Sequence, residues 1–185
     1  AGTIGAEGDN SIGVTGVTWD VQLMSLDVFG NQDGALASDI WDAIYYGVDN
    51  GAKVINMSLG STYYGTYQDY RNQVPELDQG YRNAFEYAIK NGTTVVIAAG
   101  NEEVNFDQNW FSIPAEYSNL YNGVISVASV ANTGNLASYS NYGSQVTIAA
   151  PGGDFNDEQG GIYNTIPFDD YEFLQGTSMA SPVVA

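Results

Sequence analysis

The residues Gly176-Thr177-Ser178-Met179-Ala180-Ser181-Pro182 combine a small turn residue with three hydroxyls and a helix-compatible run. Glycine permits a tight turn, and Met179, Ala180 and Ser181 can begin a helix whose first amides lack intrahelical partners. Those amides and the positive helix end favour an anion beside the Ser178 hydroxyl. That suits a nucleophile whose reaction generates an oxyanion. The same string also fits a polar N-cap on a buried helix, because Ser and Thr are common caps. A second string, Val95-Val96-Ile97-Ala98-Ala99-Gly100-Asn101, is an apolar β-branched run ending in Gly-Asn. It reads as a buried parallel strand whose C-terminal edge presents an amide side chain, and ligands of open α/β sheets bind at that edge. An asparagine that merely ends a strand in a turn is the plainer alternative.

Two further strings matter. Val54-Ile55-Asn56-Met57-Ser58-Leu59-Gly60 is strand-like and ends in small residues. Ser58 and Gly60 are small, and an exposed strand edge can pair with an extended peptide; a plain core strand would read the same way. Ala1-Gly2-Thr3-Ile4-Gly5-Ala6 precedes Asn10-Ser11-Ile12-Gly13-Val14-Thr15-Gly16-Val17 at the start of the chain.

In this order and spacing, the four strings resemble the motifs of the subtilisin-like serine proteases, over residues 1–185. The resemblance implies an α/β, three-layer fold with a mostly parallel central sheet, and endopeptidase catalysis by acyl transfer on polypeptide substrates. It implies Ser178 as nucleophile and Asn101 as the side-chain donor of the oxyanion hole. Ser58, Leu59 and Gly60 on one side, and Ala99 and Gly100 on the other, would line the substrate pocket. No cofactor is implied for catalysis. A structural calcium ion is, with ligands from the Asn10 side chain and from backbone carbonyls at Ile12 and Val14. Here Glu7-Gly8-Asp9-Asn10 makes the loop one residue longer than the family's usual form.

The chain contains no histidine, so no Ser-His-Asp triad can form within it, and Ser178 alone is a weak nucleophile. The family's catalytic aspartate would also lie upstream. The expectation is therefore a partial catalytic domain, truncated at both ends, that begins just after the catalytic histidine motif and is inactive in isolation. A complete pseudoenzyme that only binds peptides is the rival. Gly176-Thr177-Ser178-Met179-Ala180 also fits a loose esterase-type nucleophile elbow, but that arrangement needs Asp and His after the serine, and it would leave Gly100-Asn101 and the N-terminal strings unexplained.

Composition narrows the field further. The 185 residues carry 22 acidic and 4 basic side chains for a net charge of −18, the opposite of a nucleic-acid footprint. No apolar run approaches the roughly 18–20 residues of a membrane helix. Cysteine is absent, which excludes disulfides and thiolate metal ligation. With 44% hydrophobic and 13% aromatic residues, a folded domain is expected despite the charge. Resemblance and acidity together point to a secreted monomer.

The elements that must position these motifs can be read from periodicity. Val21 to Val28 alternates like a strand, Asn31-Gln32-Asp33-Gly34 reads as a turn, and Ser38 can cap a helix carrying Ile40, Ile44 and Val48 and ended by Gly51. Leu77, Tyr81, Ala84, Phe85 and Ala88 mark a second helix, stopped by Asn91-Gly92. Strands are expected near 93–98, 124–130, 146–150 and 162–166. Strand and helix in alternation mean a parallel sheet with right-handed crossovers. Residues 61–79 read as a loop whose Tyr63, Tyr64, Tyr67 and Tyr70 contact substrate or pack the loop down. Residues 152–161 read as a solvated acidic loop, with hard-oxygen cation binding as the alternative.

Overall fold

The computed structural model describes residues 1–30, 34–158 and 160–185; the turn expected at Asn31-Gln32-Asp33-Gly34 falls largely outside them. The centre of the molecule is β3 (Thr94–Ala98), flanked by β1 (Val54–Met57) and β5 (Val124–Val130), with β6 (Ile148–Pro151) beyond. All three pairings are parallel, in the order β1-β3-β5-β6. A parallel sheet has both faces covered, which is why β3 is apolar and buried from Val95 to Ala98. Val95 and Ile97 face one side, with Ile40 and Ile44 of α2 (Ala37–Asp49) and Phe85 and Ala88 of α4 (Pro75–Lys90). Val96 faces the other, with Val127, Ala150 and Ala180 of α5 (Thr177–Val184). The sheet thus lies between α2 and α4 on one face and α5 on the other.

Both long helices follow their sequence signals at the C-terminus. α2 ends at Asp49 before Gly51 (φ +86°), and α4 ends at Lys90 before Gly92 (φ +78°), positions where glycine accepts a left-handed backbone without strain. Pro75 opens α4, where its missing N–H costs nothing. The start of α2 differs from expectation. Leu36 occupies the extended N-cap position and Ser38 lies inside the first turn, its hydroxyl 3.4 Å from the Asp39 carboxylate.

Three further expectations are corrected. Val21–Val28 forms no strand. Val21 and Leu23 pack toward Gly5 in α1 (Gly2–Gly5) and Leu26 packs toward Gly47 in α2, yet among the described residues no strand pairs with the segment, and alternation without a partner does not make a strand. Residues 61–79 are not a loop. They contain β2 (Ser61–Tyr64), α3 (Tyr67–Gln73) and the first turn of α4. β2 pairs antiparallel with β4 (Trp110–Ile113), and Tyr63 stacks on Phe111 at 5.4 Å. Thr66 caps α3 by accepting the Asp69 amide. In the acidic loop, Asp154 is buried rather than solvated. Its carboxylate accepts the Ser138 amide (2.6 Å), the Asn156 amide (2.9 Å) and the Ser138 hydroxyl (3.1 Å). The Ser138 amide, and after it the Asn156 amide and the Ser138 hydroxyl, outweigh burial and hold its carboxyl below the usual range.

The expected strand at 162–166 is β7 (Ile162–Ile166), which pairs antiparallel with β8 (Asp170–Leu174). Tyr67, Tyr70, Tyr117 and Phe111 form a ring cluster around Asp78, itself 4% exposed. Asp78 accepts from the hydroxyls of Tyr67 and Tyr117 and from Arg82 Nε at 2.7 Å. This cluster fastens the 61–79 excursion to the core.

Candidate active site

β3 carries the chain into Ala99, Gly100 and Asn101 at the C-terminal edge of the sheet, and α5 begins beside them. Asn101 is exposed, but its Oδ1 is fixed from two directions. The Thr177 amide donates to it at 2.8 Å and the Thr177 hydroxyl at 2.9 Å. The same hydroxyl accepts the Gly100 amide at 3.1 Å. With Oδ1 committed to these donors, the Asn101 amide has only Nδ2 to offer a ligand.

Gly176, the N-cap of α5, has φ +149°, a region that side chains rarely enter. Its bare face is where the donors meet. A Cβ placed on Gly176 would sit 3.5 Å from the Ser178 amide nitrogen and 3.7 Å from Asn101 Nδ2. Two N–H donors, one from the backbone and one from a side chain, thus flank a single point beside Ser178. A helix N-terminus adds its positive dipole end there. Chemically the arrangement can hold an anionic oxygen.

Ser178 is half-buried in the first turn of α5, and its Oγ lies 3.5 Å from the Ser58 carbonyl oxygen. That is too long and too near the limit to count as a firm bond. No histidine exists in the chain, so no imidazole base within it can pair with this hydroxyl.

A cleft of about 570 Å³ opens in front of Ser178. Ser58, Leu59, Gly60, Ala99 and Gly100 all line it, together with Asn101 and Ser178; all the pocket residues expected from sequence therefore come together. The side chain of Ser58, however, turns toward α5, where its Oγ donates to the Ser178 carbonyl at 2.9 Å. The far end of the cleft is apolar, with Phe29, Ile40, Leu77, Tyr70 and Tyr81. Burial pushes the Tyr81 hydroxyl up to about 12 and that of Tyr70 still higher, so both stay neutral. Of the four expected tyrosines, Tyr63 and Tyr70 reach the cleft; Tyr64 points to the opposite face of β2 and packs on Trp110.

Three residues here were not singled out by sequence. Glu102 lines the cleft, and its Oε2 accepts from the Thr62 hydroxyl at 2.6 Å and from Asn141 Nδ2 at 2.7 Å. Asn141 is wholly buried, and its Oδ1 accepts the Glu102 and Val104 amides. Thr177 is wholly buried as well. Glu102 directly follows Asn101 and Thr177 directly precedes Ser178, so adjacency was an available signal for both. Asn141 had none, because its role depends on contacts across 39 residues.

The segment expected to bind calcium lies on the surface. Asn10 Oδ1 accepts the Ile12 amide at 2.9 Å, and Asp9, Ser11 and Gly13 take positive φ values of 57°, 60° and 55°. Asn10, Ile12 and Val14 offer neutral hard oxygens, the right kind for calcium, but calcium takes about six to eight. Among the described residues, no group of three or more acidic or histidine side chains is placed to hold a metal.

The chain resembles known proteins over its whole length. The profile of the subtilase family, Peptidase_S8, matches residues 1–185. The chain is 38% identical, over its whole length, to a thermophilic serine proteinase of Bacillus sp. strain AK1, of which it covers 39%. It is 36% identical to subtilisin DY of Bacillus licheniformis, covering 58% of that protein. A solved protease structure from Pseudoalteromonas arctica superposes with a TM-score of 0.79 at 36% identity, over 100% of this chain and 54% of the other. The chain thus spans about half the length of the proteins it matches, or less. By name, its relatives include both extracellular and intracellular proteases.

Proposed function

The chain belongs to the subtilase family, and from that premise we propose that it is the nucleophile- and oxyanion-bearing part of a serine endopeptidase. Ser178 Oγ attacks the scissile carbonyl of a polypeptide, its proton passing to a base that lies outside these 185 residues. The carbonyl oxygen becomes an anion between the Ser178 amide and Asn101 Nδ2. Collapse of this adduct expels the amine, which takes up the proton and leaves an acyl ester on Ser178; water then hydrolyses the ester. The side chain before the scissile bond enters between Ser58–Gly60 and Ala99–Gly100.

The observation that carries this reading is the approach of the Ser178 amide nitrogen (3.5 Å) and Asn101 Nδ2 (3.7 Å) to one point on the bare face of Gly176, two residues before the Ser178 hydroxyl's own position in the chain. Loose calcium coordination at Asn10, Ile12 and Val14, completed by ligands outside these residues, and an extracellular site of action belong to the same proposal. The acidic surface and the extracellular relatives support the latter; no helix among the described residues is long and apolar enough to cross a membrane.

The test is to treat the whole protein with a fluorophosphonate and locate the adduct by peptide mass spectrometry. Labelling at Ser178, abolished in Ser178→Ala together with proteolysis, is expected. Labelling at another residue, or proteolysis that survives the substitution, would overturn it.

A further inference from the structure

Pro182 lies inside α5. Proline has no N–H, so it cannot donate to the carbonyl four residues earlier, and that carbonyl belongs to Ser178. The residue that carries the nucleophilic hydroxyl is therefore also the one whose backbone lacks its helical donor. A carbonyl orphaned in this way needs a partner from elsewhere.

Ser58 supplies it. Its Oγ donates to the Ser178 carbonyl oxygen at 2.9 Å from the segment that follows β1. The remaining capacity of the Ser58 hydroxyl is also used. Asn56 Nδ2 donates to it at 3.0 Å, and Ser181 Oγ, on a wholly buried residue, lies 3.0 Å away. A hydroxyl has one proton and two acceptor sites. With the Ser58 proton given to Ser178, the Ser181 hydroxyl is the donor in that pair. Ser58 therefore accepts twice and donates once, and nothing of its side chain is left over for substrate.

We infer that Ser58 is a positioning residue: its hydroxyl takes the place of the N–H missing at Pro182 and fixes the turn that carries Ser178 against the edge of β1. The inference rests on the reading of Ser178 as the nucleophile. The pocket wall and the nucleophile become one rigid unit, because Ser58 belongs to the cleft lining while its side chain holds α5. Without that bond the first turn of α5 has a carbonyl with no donor from the protein, and the Ser178 hydroxyl can drift from its line of attack. Misplacement of a reacting group by a fraction of an ångström is expensive in rate.

The inference makes a coupling prediction that a merely structural serine does not. In the whole protein, Ser58→Ala should lower kcat by about tenfold, the rate equivalent of one modest hydrogen bond. KM and the pH profile should stay as they were, because neither the pocket backbone nor the base is touched. Ser58→Thr, which keeps the hydroxyl, should recover most of the rate. Pro182→Ala restores an N–H four residues after Ser178, so in that background Ser58→Ala should cost less than about threefold.

The same cycle can be read by melting, without reference to activity. Ser58→Ala should lower Tm by about 2–4 °C with Pro182 present and by less than half as much in Pro182→Ala. Equal losses in both backgrounds, by either readout, would overturn the inference, as would a loss confined to KM. A whole protein that neither cleaves peptides nor labels at Ser178 would instead remove the proposed function. The melting cycle would then still decide whether Ser58 stands in for the missing amide.

Discussion

Thr177 holds Asn101 by two hydrogen bonds to a single oxygen, from its amide at 2.8 Å and its hydroxyl at 2.9 Å. A carboxamide gripped at its oxygen cannot flip, so Nδ2 is presented in one orientation before any substrate arrives. Preorganisation of this kind is what makes a donor effective toward charge that appears only in the transition state. In the whole protein, Asn101→Ala is expected to lower kcat by about 10²–10³ with KM little changed, a magnitude carried over from an equivalent asparagine in subtilisin. Thr177→Val should act in the same direction but more weakly, about tenfold, because the Thr177 amide still holds Oδ1. Steady-state kinetics on one peptide substrate checks both, and a change in KM alone would place Asn101 in the pocket instead.

Gly176→Ala tests the same point from the other side. The new methyl would occupy the position 3.5 Å from the Ser178 amide and 3.7 Å from Asn101 Nδ2, at a φ of +149°. It should remove at least as much activity as Asn101→Ala and lower stability by about 1–3 kcal/mol through backbone strain. Kinetics and denaturant melts together separate the two effects. A variant with wild-type kcat would mean that the oxyanion does not sit at that face.

Glu102 gives the cleft a fixed negative charge. Its Oε2 is held by Thr62 and by the buried Asn141, both neutral donors, and none of the four Lys and Arg side chains lines the cleft. The expected consequence is a preference for substrates with Lys or Arg before the scissile bond over those with Glu. Glu102→Gln should lower kcat/KM for the cationic substrates by about tenfold and raise it for the acidic one, while leaving a Leu substrate within about twofold. A matched series of chromogenic peptides reads this directly. An unchanged order of preference in Glu102→Gln would show that this carboxylate does not face the side chain.

The pattern of what could be read in advance follows from the range of the interactions. β3 and α4 were legible because their signals are local: an unbroken β-branched run in one, apolar spacing with a Gly terminator in the other. The places of Ser178 at a helix start and of Asn101 just past a strand end were legible because their short motifs carry that turn and that strand end. Val21–Val28 misled because alternation announces a strand but not a partner. Residues 61–79 misled in the opposite sense: β2 exists through pairing with β4, some 50 residues away, and Asp78 gathers Tyr67, Tyr117 and Arg82 from three separate stretches. Asn141 and the hydrogen bonds it makes to Glu102 belong to the same class. Their chemistry is made by a fold that a single string of residues does not display.

Asp78 should be felt in acid. Burial by itself would raise its carboxyl, but hydrogen bonds from Tyr67, Arg82 and Tyr117 more than offset this and leave it below the usual range. Arg71 adds little: its Nε lies 3.3 Å away without hydrogen-bond alignment, and its side chain is 42% exposed. A carboxyl lowered on folding contributes stability that is complete above its unfolded value, about 3.9, and is lost as pH falls through the folded value. Asp78→Asn is therefore expected to cost about 1–3 kcal/mol near neutrality. The gap to wild type should narrow below about pH 4. Denaturant melts across this range test the sign, and a gap independent of pH would remove the charge of Asp78 from the account.

Calcium can be tested at Asn10 without assuming its remaining ligands. The exposed turn at Asp9–Gly13 already closes on itself, with the Ile12 amide bound to Asn10 Oδ1 at 2.9 Å. That oxygen retains a second lone pair for a cation. The carbonyls of Ile12 and Val14 are the two other oxygens the site would use, so the 185 residues alone should bind calcium weakly or not at all. In the whole protein, a cation bound only by the folded form raises Tm with concentration by mass action. Melts in EDTA and in excess calcium, at matched ionic strength, separate site binding from general screening of the −18 charge. The expected result is a calcium-dependent rise that Asn10→Ala largely removes. Equal melting temperatures, or a rise that survives the substitution, would take calcium away from this turn and leave Asn10 with a local role only.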